Sequence, residues 1–223
     1  VFIRSGTVWT QQGNKLVGSS SVGQSYQAVS VSISADGNTA IIGAGQDNNN
    51  IGAAWIFTQS DGAWTQQGAK LVGAGAIGSS YHGGSVCISA DGNTAIVGGF
   101  GDNGNIGAAW IYTRSGNMWS QQGDKLVGNG FVGSPYQGFS VSLSSNGNTA
   151  IIGGRLDLSN GTIGASWIFT RSGGLWIQQG TKLIGTGTLN NSQQGWSVAM
   201  SADATTAIVG GINDNKGIGA AWA

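Results

Sequence analysis

Two pairs of residues with ligand-binding chemistry recur four times each in this 223-residue chain. One series is Asp47-Asn48, Asp102-Asn103, Asp157 and Asp214-Asn215. The other is Tyr26-Gln27, Tyr81-His82, Tyr136-Gln137 and Gln193-Gln194. Carboxylates and amides hydrogen-bond hydroxyl groups, and tyrosine adds a ring face. Such a set suits sugars. The same residue types are also ordinary turn formers, so a binding role depends on their meeting on one face.

Other chemistry has less to work with. His82 is the chain's one histidine, standing where the other copies have Gln27, Gln137 and Gln194, and it reads as a polar loop substituent. A Ser-His-carboxylate relay would need an acid fixed beside it, and the nearest candidate, Asp102, belongs to another loop. Cys87 occupies a slot held elsewhere by Ser32, Ser142 and Ala199, which asks only for a small side chain. One cysteine makes no intrachain disulfide, and one His with one Cys makes no zinc cluster. All nine acidic residues are aspartates, so paired-carboxylate catalysis would need two of the dispersed Asp positions together. No enzymatic activity is expected. The one place where an asymmetric pocket could break the repeat is the third-copy insertion, Arg155 to Thr162.

These residues are carried by a repeat. Ser85-Val86-Cys87-Ile88-Ser89-Ala90-Asp91-Gly92-Asn93-Thr94-Ala95-Ile96-Val97-Gly98-Gly99 recurs from Ser30, Ser140 and Ser197. Each copy leads to an Ile-Gly-Ala-(Ala/Ser)-Trp block ending at Trp55, Trp110, Trp167 or Trp222, at spacings of 55, 57 and 55 residues. A Trp-x-Gln-Gln-Gly-x-Lys-Leu block is anchored at Trp9, Trp64, Trp119 and Trp176. Periods of this length mark modular arrays. Within a module, small or polar residues alternate with apolar ones, the strand pattern. Strands are predicted over Gly84–Ser89, Thr94–Gly98, Ala108–Arg114 and Met118–Val127, the last interrupted by Gly123. The Asp-Gly turns predict type I′ hairpins. Nothing has helical periodicity.

Four antiparallel strands per repeat predict an all-β propeller, treated as one domain over 1–223, with repeats at about 29–83, 84–138, 139–194 and 1–28 plus 195–223. Val1 and Ala223 both fall at the slot of Ile56. The ends are therefore expected either to complete one shared blade and close a four-bladed ring, or to be cut points in a longer array. A chain with so few charges should have its strand edges paired, by closure or by a neighbouring chain, and self-association through unpaired edges is a further expectation.

The order of these blocks resembles the bacterial branch of FG-GAP repeats, related to the propeller repeats of integrin α-subunits. Gly138-Phe139-Ser140-Val141 resembles the first half of the name motif. Ile42-Gly43-Ala44 and Val97-Gly98-Gly99 resemble the second, without its proline. The resemblance covers essentially the whole chain. It implies a propeller with a surface-exposed or secreted binding role, and no reaction. Calcium-binding members carry several aspartates between the two half-motifs. Here that stretch holds one acid, Asp36, Asp91 or Asp203, with Asn146 in the third copy. Calcium takes six to eight oxygen ligands, so calcium is disfavoured and no cofactor is expected.

Eight of the nine tryptophans hold two fixed strand positions, as large side chains wedged between sheets do. Trp196 is the exception, standing where other copies have Val29, Gly84 and Phe139. Lys15, Lys70, Lys125 and Lys182 read as outer-strand edge charges. Two sequons, Asn160-Gly161-Thr162 and Asn190-Asn191-Ser192, fall in predicted loops.

Charged residues are 8% of the chain and formal net charge is zero, against roughly 25% charged residues in an average soluble protein. Without a basic cluster, nucleic acid and anionic membranes are not expected partners. No apolar run reaches the length of a membrane helix, so membrane insertion is not expected either. A surface built from Asn, Gln, Ser and Thr points to an extracellular or cell-surface location. The functional expectation is a non-catalytic binding or scaffold module for a protein or glycan at a cell surface. The alternative is a lectin with one shallow site per blade. In a four-stranded antiparallel blade the loops after strands two and four emerge on one face, which would gather the Asp/Asn and Tyr/Gln series.

Overall fold

The computed structural model describes residues 1–158, 161 and 163–223. It is an all-β propeller fold. Three blades are complete antiparallel sheets: β3 (Ser30–Ile33), β4 (Thr39–Ala44), β5 (Ala53–Ser60) and β6 (Ala63–Gln66); β7 (Ser85–Ile88), β8 (Thr94–Gly99), β9 (Ala108–Ser115) and β10 (Met118–Gln121); β11 (Gln137–Leu143), β12 (Thr149–Gly154), β13 (Ala165–Ser172) and β14 (Leu175–Leu183). The fourth repeat forms a three-stranded sheet of β15 (Gln194–Met200), β16 (Ala207–Gly211) and β17 (Ala220–Trp222). The hairpin of β1 (Phe2–Ser5) and β2 (Val8–Gln11) is a separate sheet.

The strand pattern places the core between blades. Ile41, Ala54 and Ile56 of the first complete blade pack with Val86, Ile88, Val97, Trp110 and Tyr112 of the second. Ile96, Ala109 and Ile111 pack in turn with Val141, Leu143, Ile152, Trp167 and Phe169 of the third. Each sheet therefore covers its neighbour's apolar face, as a stacked array requires. The first complete blade differs on its other face: Val31 is 65% exposed, while its equivalents Val86 and Val141 are 8% and 9% exposed.

The repeated serine in the first strand of each complete blade is the inter-blade tie. Ser30 Oγ donates to Gly83 O at 2.9 Å, Ser85 Oγ to Gly138 O at 2.8 Å, and Ser140 Oγ to Gly195 O at 2.8 Å. The approach demands glycine on both sides. A Cβ on Gly98 would lie 2.2 Å from Gly138 O, and Gly138 itself sits at φ +79°.

The Trp-x-Gln-Gln-Gly-x-Lys-Leu block is also structural. Trp64, Trp119 and Trp176 each donate Nε1–H to a glutamine of the preceding repeat: Gln12 at 3.0 Å, Gln67 at 2.8 Å and Gln122 at 3.1 Å. The other tryptophans of the repeat, Trp55, Trp110 and Trp167, are fully buried, with Nε1–H donated to Ser19, Ala74 and Asn129 carbonyls.

Two local expectations are corrected. The Met118–Val127 strand stops at Gln121 and resumes as a bridge from Leu126 to Ala109, because Gly123 takes φ +69° and bulges the chain. The Asp-Gly turns are not type I′. Only the glycine has positive φ (Gly37 +72°, Gly92 +65°), and Gly37 N–H donates to Ser34 O at 2.9 Å. This is a type I turn followed by a left-handed residue. The aspartate selects it: Asp36 Oδ1 accepts from Ser34 Oγ at 2.5 Å and from Asn38 N–H at 2.9 Å. These bonds hold the Asp36 carboxyl below its usual range.

Candidate functional site

The loops after strands two and four meet as the topology requires. Asn48, Asn103 and Asn215 N–H groups donate to Val22, Ile77 and Leu189 carbonyls at 2.9, 2.9 and 3.0 Å. Between blades, Tyr81 N–H donates to Asn50 O and Tyr136 N–H to Asn105 O, at 2.8 and 2.9 Å. The loop after strand two makes a tight left-handed turn at Asn48-Asn49, Asn103-Gly104 and Asn215-Lys216. Asparagine and glycine tolerate that conformation.

The residues that sequence reasoning groups on this face are divided by the structure. Asp47, Asp102, Asp157 and Asp214 are buried. Each accepts a loop backbone N–H: Val22, Ile77 and Leu189 donate at 2.7 Å to Asp47, Asp102 and Asp214, and Val132 donates to Asp157 at 3.1 Å. Lys125 pairs with Asp102 at 2.6 Å and Lys182 with Asp157 at 2.7 Å, and Lys70 pairs with Asp47. These lysines are therefore not edge charges. Each neutralises an interior carboxylate.

Gln137 and Gln194 are buried too, and Gln27 is half-buried. Each clamps both backbone polar groups of a glycine nine residues earlier. Gly128 N–H donates to Gln137 Oε1 at 2.6 Å, and Gln137 Nε2 returns a bond to Gly128 O at 2.9 Å; Gln27 does the same to Gly18 and Gln194 to Gly185. His82 is no loop substituent. It is fully buried, edge-on to Trp110, with Nε2 at 3.0 Å from Tyr112 Oη. Burial lowers its pKa from 6.5 to about 3, so the ring is neutral. Sequence reasoning put these groups on the surface because it could not see that the preceding loop folds back to bond each glutamine, or that Trp110 and Tyr112 enclose His82.

The asparagines Asn48, Asn103 and Asn215 are exposed, while Tyr81 and Tyr136 are half-buried. Tyr26 is 58% exposed. Tyr26, Tyr81 and Tyr136 all sit at positive φ (51°, 54° and 61°), as does Gln193 at 56°. Such a conformation is uncommon for a bulky residue and costs energy; it turns the chain so that its polar successor goes inward.

The tyrosines lead to Phe100, which the sequence did not mark, and to Phe139 and Trp196, which it marked as a motif residue and as the exception among the tryptophans. Tyr81 stacks on Phe100 with centroids 4.8 Å apart, and Phe100 lies 6.1 Å from Tyr136 and 5.7 Å from Phe139. Phe139 meets Trp196 at 4.9 Å. A continuous aromatic shelf thus crosses from the first complete blade to the fourth repeat. At one end it borders an open cleft of about 340 Å³, lined by Tyr26, Val29, Gln46, Tyr81, Phe100 and Phe139. At the other stands Arg155, 4.6 Å from the Phe139 ring centroid, 5.0 Å from Trp196 and 5.4 Å from Tyr136. Phe100 escaped notice because its counterparts are Gly45, Arg155 and Ile212. A residue present in one copy has no periodic signal.

No group of three or more His, Cys or Asp side chains is placed to hold a metal ion among the described residues. Cys87 is mostly buried, which pushes its thiol pKa up. Of the two sequons, Asn160-Gly161-Thr162 rests on two residues outside the described ones. Asn190 is exposed, with Ser192 buried and donating to Ile163 O at 3.0 Å.

Against known proteins, no family model matches the chain and no curated protein matches it. Solved structures do resemble it. A functionally unknown protein from Desulfotomaculum acetoxidans aligns over 90% of this chain and 56% of its own, at 16% identity and TM-score 0.53. TolB from Acinetobacter baumannii aligns over 81% of this chain and 37% of its own, at 13% identity and TM-score 0.46. A putative TolB from Agrobacterium tumefaciens covers 85% of this chain and 55% of its own, at 14% identity and TM-score 0.47. The chain thus spans about half the length, or less, of these structures. At such identities the likeness concerns the propeller fold alone. No helix among the described residues is long and apolar enough to cross a membrane.

Proposed function

We propose that this chain is a non-catalytic binding module of the FG-GAP type, working outside the cell or at its surface. It engages a protein partner through the aromatic shelf on its loop face. The observation that carries this reading is the shelf itself: Tyr81, Phe100, Tyr136, Phe139 and Trp196 run ring to ring across blades at a surface bordered by an open cleft. Aromatic side chains are the ones enriched at protein–protein contacts and dominant in their energetics.

The lectin reading is weaker on this geometry. Sugar recognition needs polar groups directed at hydroxyls, and the aspartates and glutamines that would supply them are already bonded within the fold. The cleft walls offer mostly rings, Val29 and glycine.

Display of the chain on a peptide array and on a glycan array, with Tyr81→Ser and Phe100→Ser alongside, tests the proposal. Peptide binding lost in both variants with unchanged circular dichroism supports it. Glycan binding without peptide binding favours the lectin, and retention of binding in both variants removes the shelf from the account.

A further inference from the structure

We propose that Arg155 makes one end of the shelf a carboxylate-recognition point, so that the ligand is a peptide segment pairing an acidic side chain with an adjacent aromatic or large apolar one. This rests on the protein-binding reading above and names the chemistry of its partner.

Arg155 breaks the repeat. Its counterparts are Gly45, Phe100 and Ile212. A guanidinium placed 4.6 to 5.4 Å from three ring centroids is attracted to their π-electron density while keeping its planar fork of donors. Among the described residues no ion pair to Arg155 is found. The ion pairs among the described residues are Lys70–Asp47, Lys125–Asp102 and Lys182–Asp157. Two arginines of the complete blades are engaged: Arg114 donates to Asn93 at 2.9 Å, and Arg171 donates to Asn148 at 2.9 Å and Gln122 at 3.0 Å. Arg155 instead keeps a buried Nε that finds no hydrogen-bond partner among the described residues. Nε is enclosed and out of a ligand's reach, whereas the terminal Nη groups are not among the buried unpartnered atoms. They are the groups a bidentate carboxylate can meet, because guanidinium and carboxylate forks match in shape and charge.

The neighbouring cleft decides what the carboxylate is attached to. It shares Phe139 with the arginine's cage, and the rest of its lining is Tyr26, Val29, Tyr81, Phe100, glycines and Gln46. Its volume, about 340 Å³, accepts one or two apolar side chains. An acidic residue beside an aromatic one fits both halves. An acidic sugar would satisfy the arginine and leave its remaining hydroxyls facing rings.

Fluorescence anisotropy with three fluorescein-labelled probes tests this: an acetylated peptide alternating Glu and Phe, its Gln/Phe counterpart, and oligoglucuronate. The Glu/Phe peptide is expected to bind about tenfold more tightly than the Gln/Phe peptide, with affinity falling as salt rises. Arg155→Met, which keeps an apolar stem over the rings, should abolish the discrimination without moving the melting temperature. Arg155→Lys should retain part of it. Equal binding of the two peptides, or full discrimination in Arg155→Met, overturns the assignment and leaves the shelf reading standing. Tighter Arg155-dependent binding of oligoglucuronate overturns the peptide occupant. Binding of no peptide at all counts against both readings.

Discussion

Tyr112 Oη lies 3.0 Å from His82 Nε2, and each residue replaces a different one in the other complete blades. Where this blade has His82 and Tyr112, the flanking blades have Gln27 with Phe57 and Gln137 with Phe169. Both groups are buried, His82 at 0% and Tyr112 at 3% exposure. The phenol is therefore needed by the imidazole, and the imidazole by the phenol. Tyr112→Phe should cost about 1–3 kcal/mol by leaving Nε2 without a partner. His82→Gln should cost a similar amount by stranding the hydroxyl. The double variant rebuilds the Gln/Phe pair of the neighbours and should be more stable than the sum of the two losses. Urea unfolding of all four proteins checks it; additivity to within about 0.5 kcal/mol would show that the pair is uncoupled.

The same burial makes stability depend on pH. His82 is neutral in the fold because its pKa falls from 6.5 to about 3, with desolvation as the cause. In the unfolded chain it takes up a proton below pH 6.5. The unfolded state therefore binds more protons, and stability falls as pH drops from 6.5 towards 3, by up to about 1.4 kcal/mol per unit. The turn aspartates act lower down. Asp36 and Asp91 lie below their ordinary 3.8, and Asp203 lies at about 2, held there by Ser201 and Thr205. Their contribution is present above pH 3.8 and is lost below it. Between pH 6.5 and about 4.5 the slope thus belongs to His82. Urea midpoints at pH 7 and pH 5 should differ in the wild type and converge in His82→Gln.

The fold was readable from sequence because its signals are periodic. Alternation in Ser85–Ile88, the turn at Asp91-Gly92 and the spacing of Trp55, Trp110, Trp167 and Trp222 each appear several times over. The site was half readable. Topology correctly joined the two loop series on one face, yet Asp102 and Gln137 face inward, since what surrounds them comes from segments distant in sequence. One signal was present and unused: Asp47 and Lys70 are separated by 23 residues, as are Asp102 and Lys125, and Asp157 and Lys182 by 25. An acid and a base that keep their offset through repeats are candidates for pairing. Phe100 and Arg155 each occur once, so only the folded blades reveal that they share a shelf.

That pairing can be dissected. Asp102 is 1% exposed and holds both Lys125 Nζ at 2.6 Å and Ile77 N–H at 2.7 Å. Asp102→Ala strands the amide and leaves Lys125 unneutralised, for an expected loss of about 3–5 kcal/mol. Asp102→Asn retains an acceptor for Ile77 and should lose less. Adding Lys125→Met to Asp102→Ala removes the uncompensated charge and should recover part of the loss. Thermal melts of the three variants rank them; a double variant worse than Asp102→Ala would mean that the lysine stabilises the fold by some other contact.

One turn carries a residue its geometry does not favour. In the first three copies the left-handed position after Asp36, Asp91 or Asn146 is Gly37, Gly92 or Gly147, and after Asp203 in the fourth it is Ala204, at φ +62°. The surrounding bonds are otherwise the same: Asp203 accepts from Ser201 Oγ at 2.6 Å and from Thr205 N–H at 3.1 Å, and Ala204 N–H donates to Ser201 O at 3.0 Å. Those bonds fix the turn and oblige Ala204 to bear a conformation that disfavours a Cβ by about 1–2 kcal/mol. Glycine removes that strain but gives the unfolded chain more freedom, an offset of about 0.5–1 kcal/mol. Ala204→Gly should therefore stabilise the protein by up to about 1 kcal/mol. The reverse change, Gly92→Ala, should destabilise by more than this gain, because a Cβ at Gly92 would also meet Thr39 Oγ1 at 2.9 Å across the blade boundary. Paired melts of these two variants measure the turn's strain with and without a neighbour, and a destabilised Ala204→Gly would show that the left-handed position is not what limits the fourth turn.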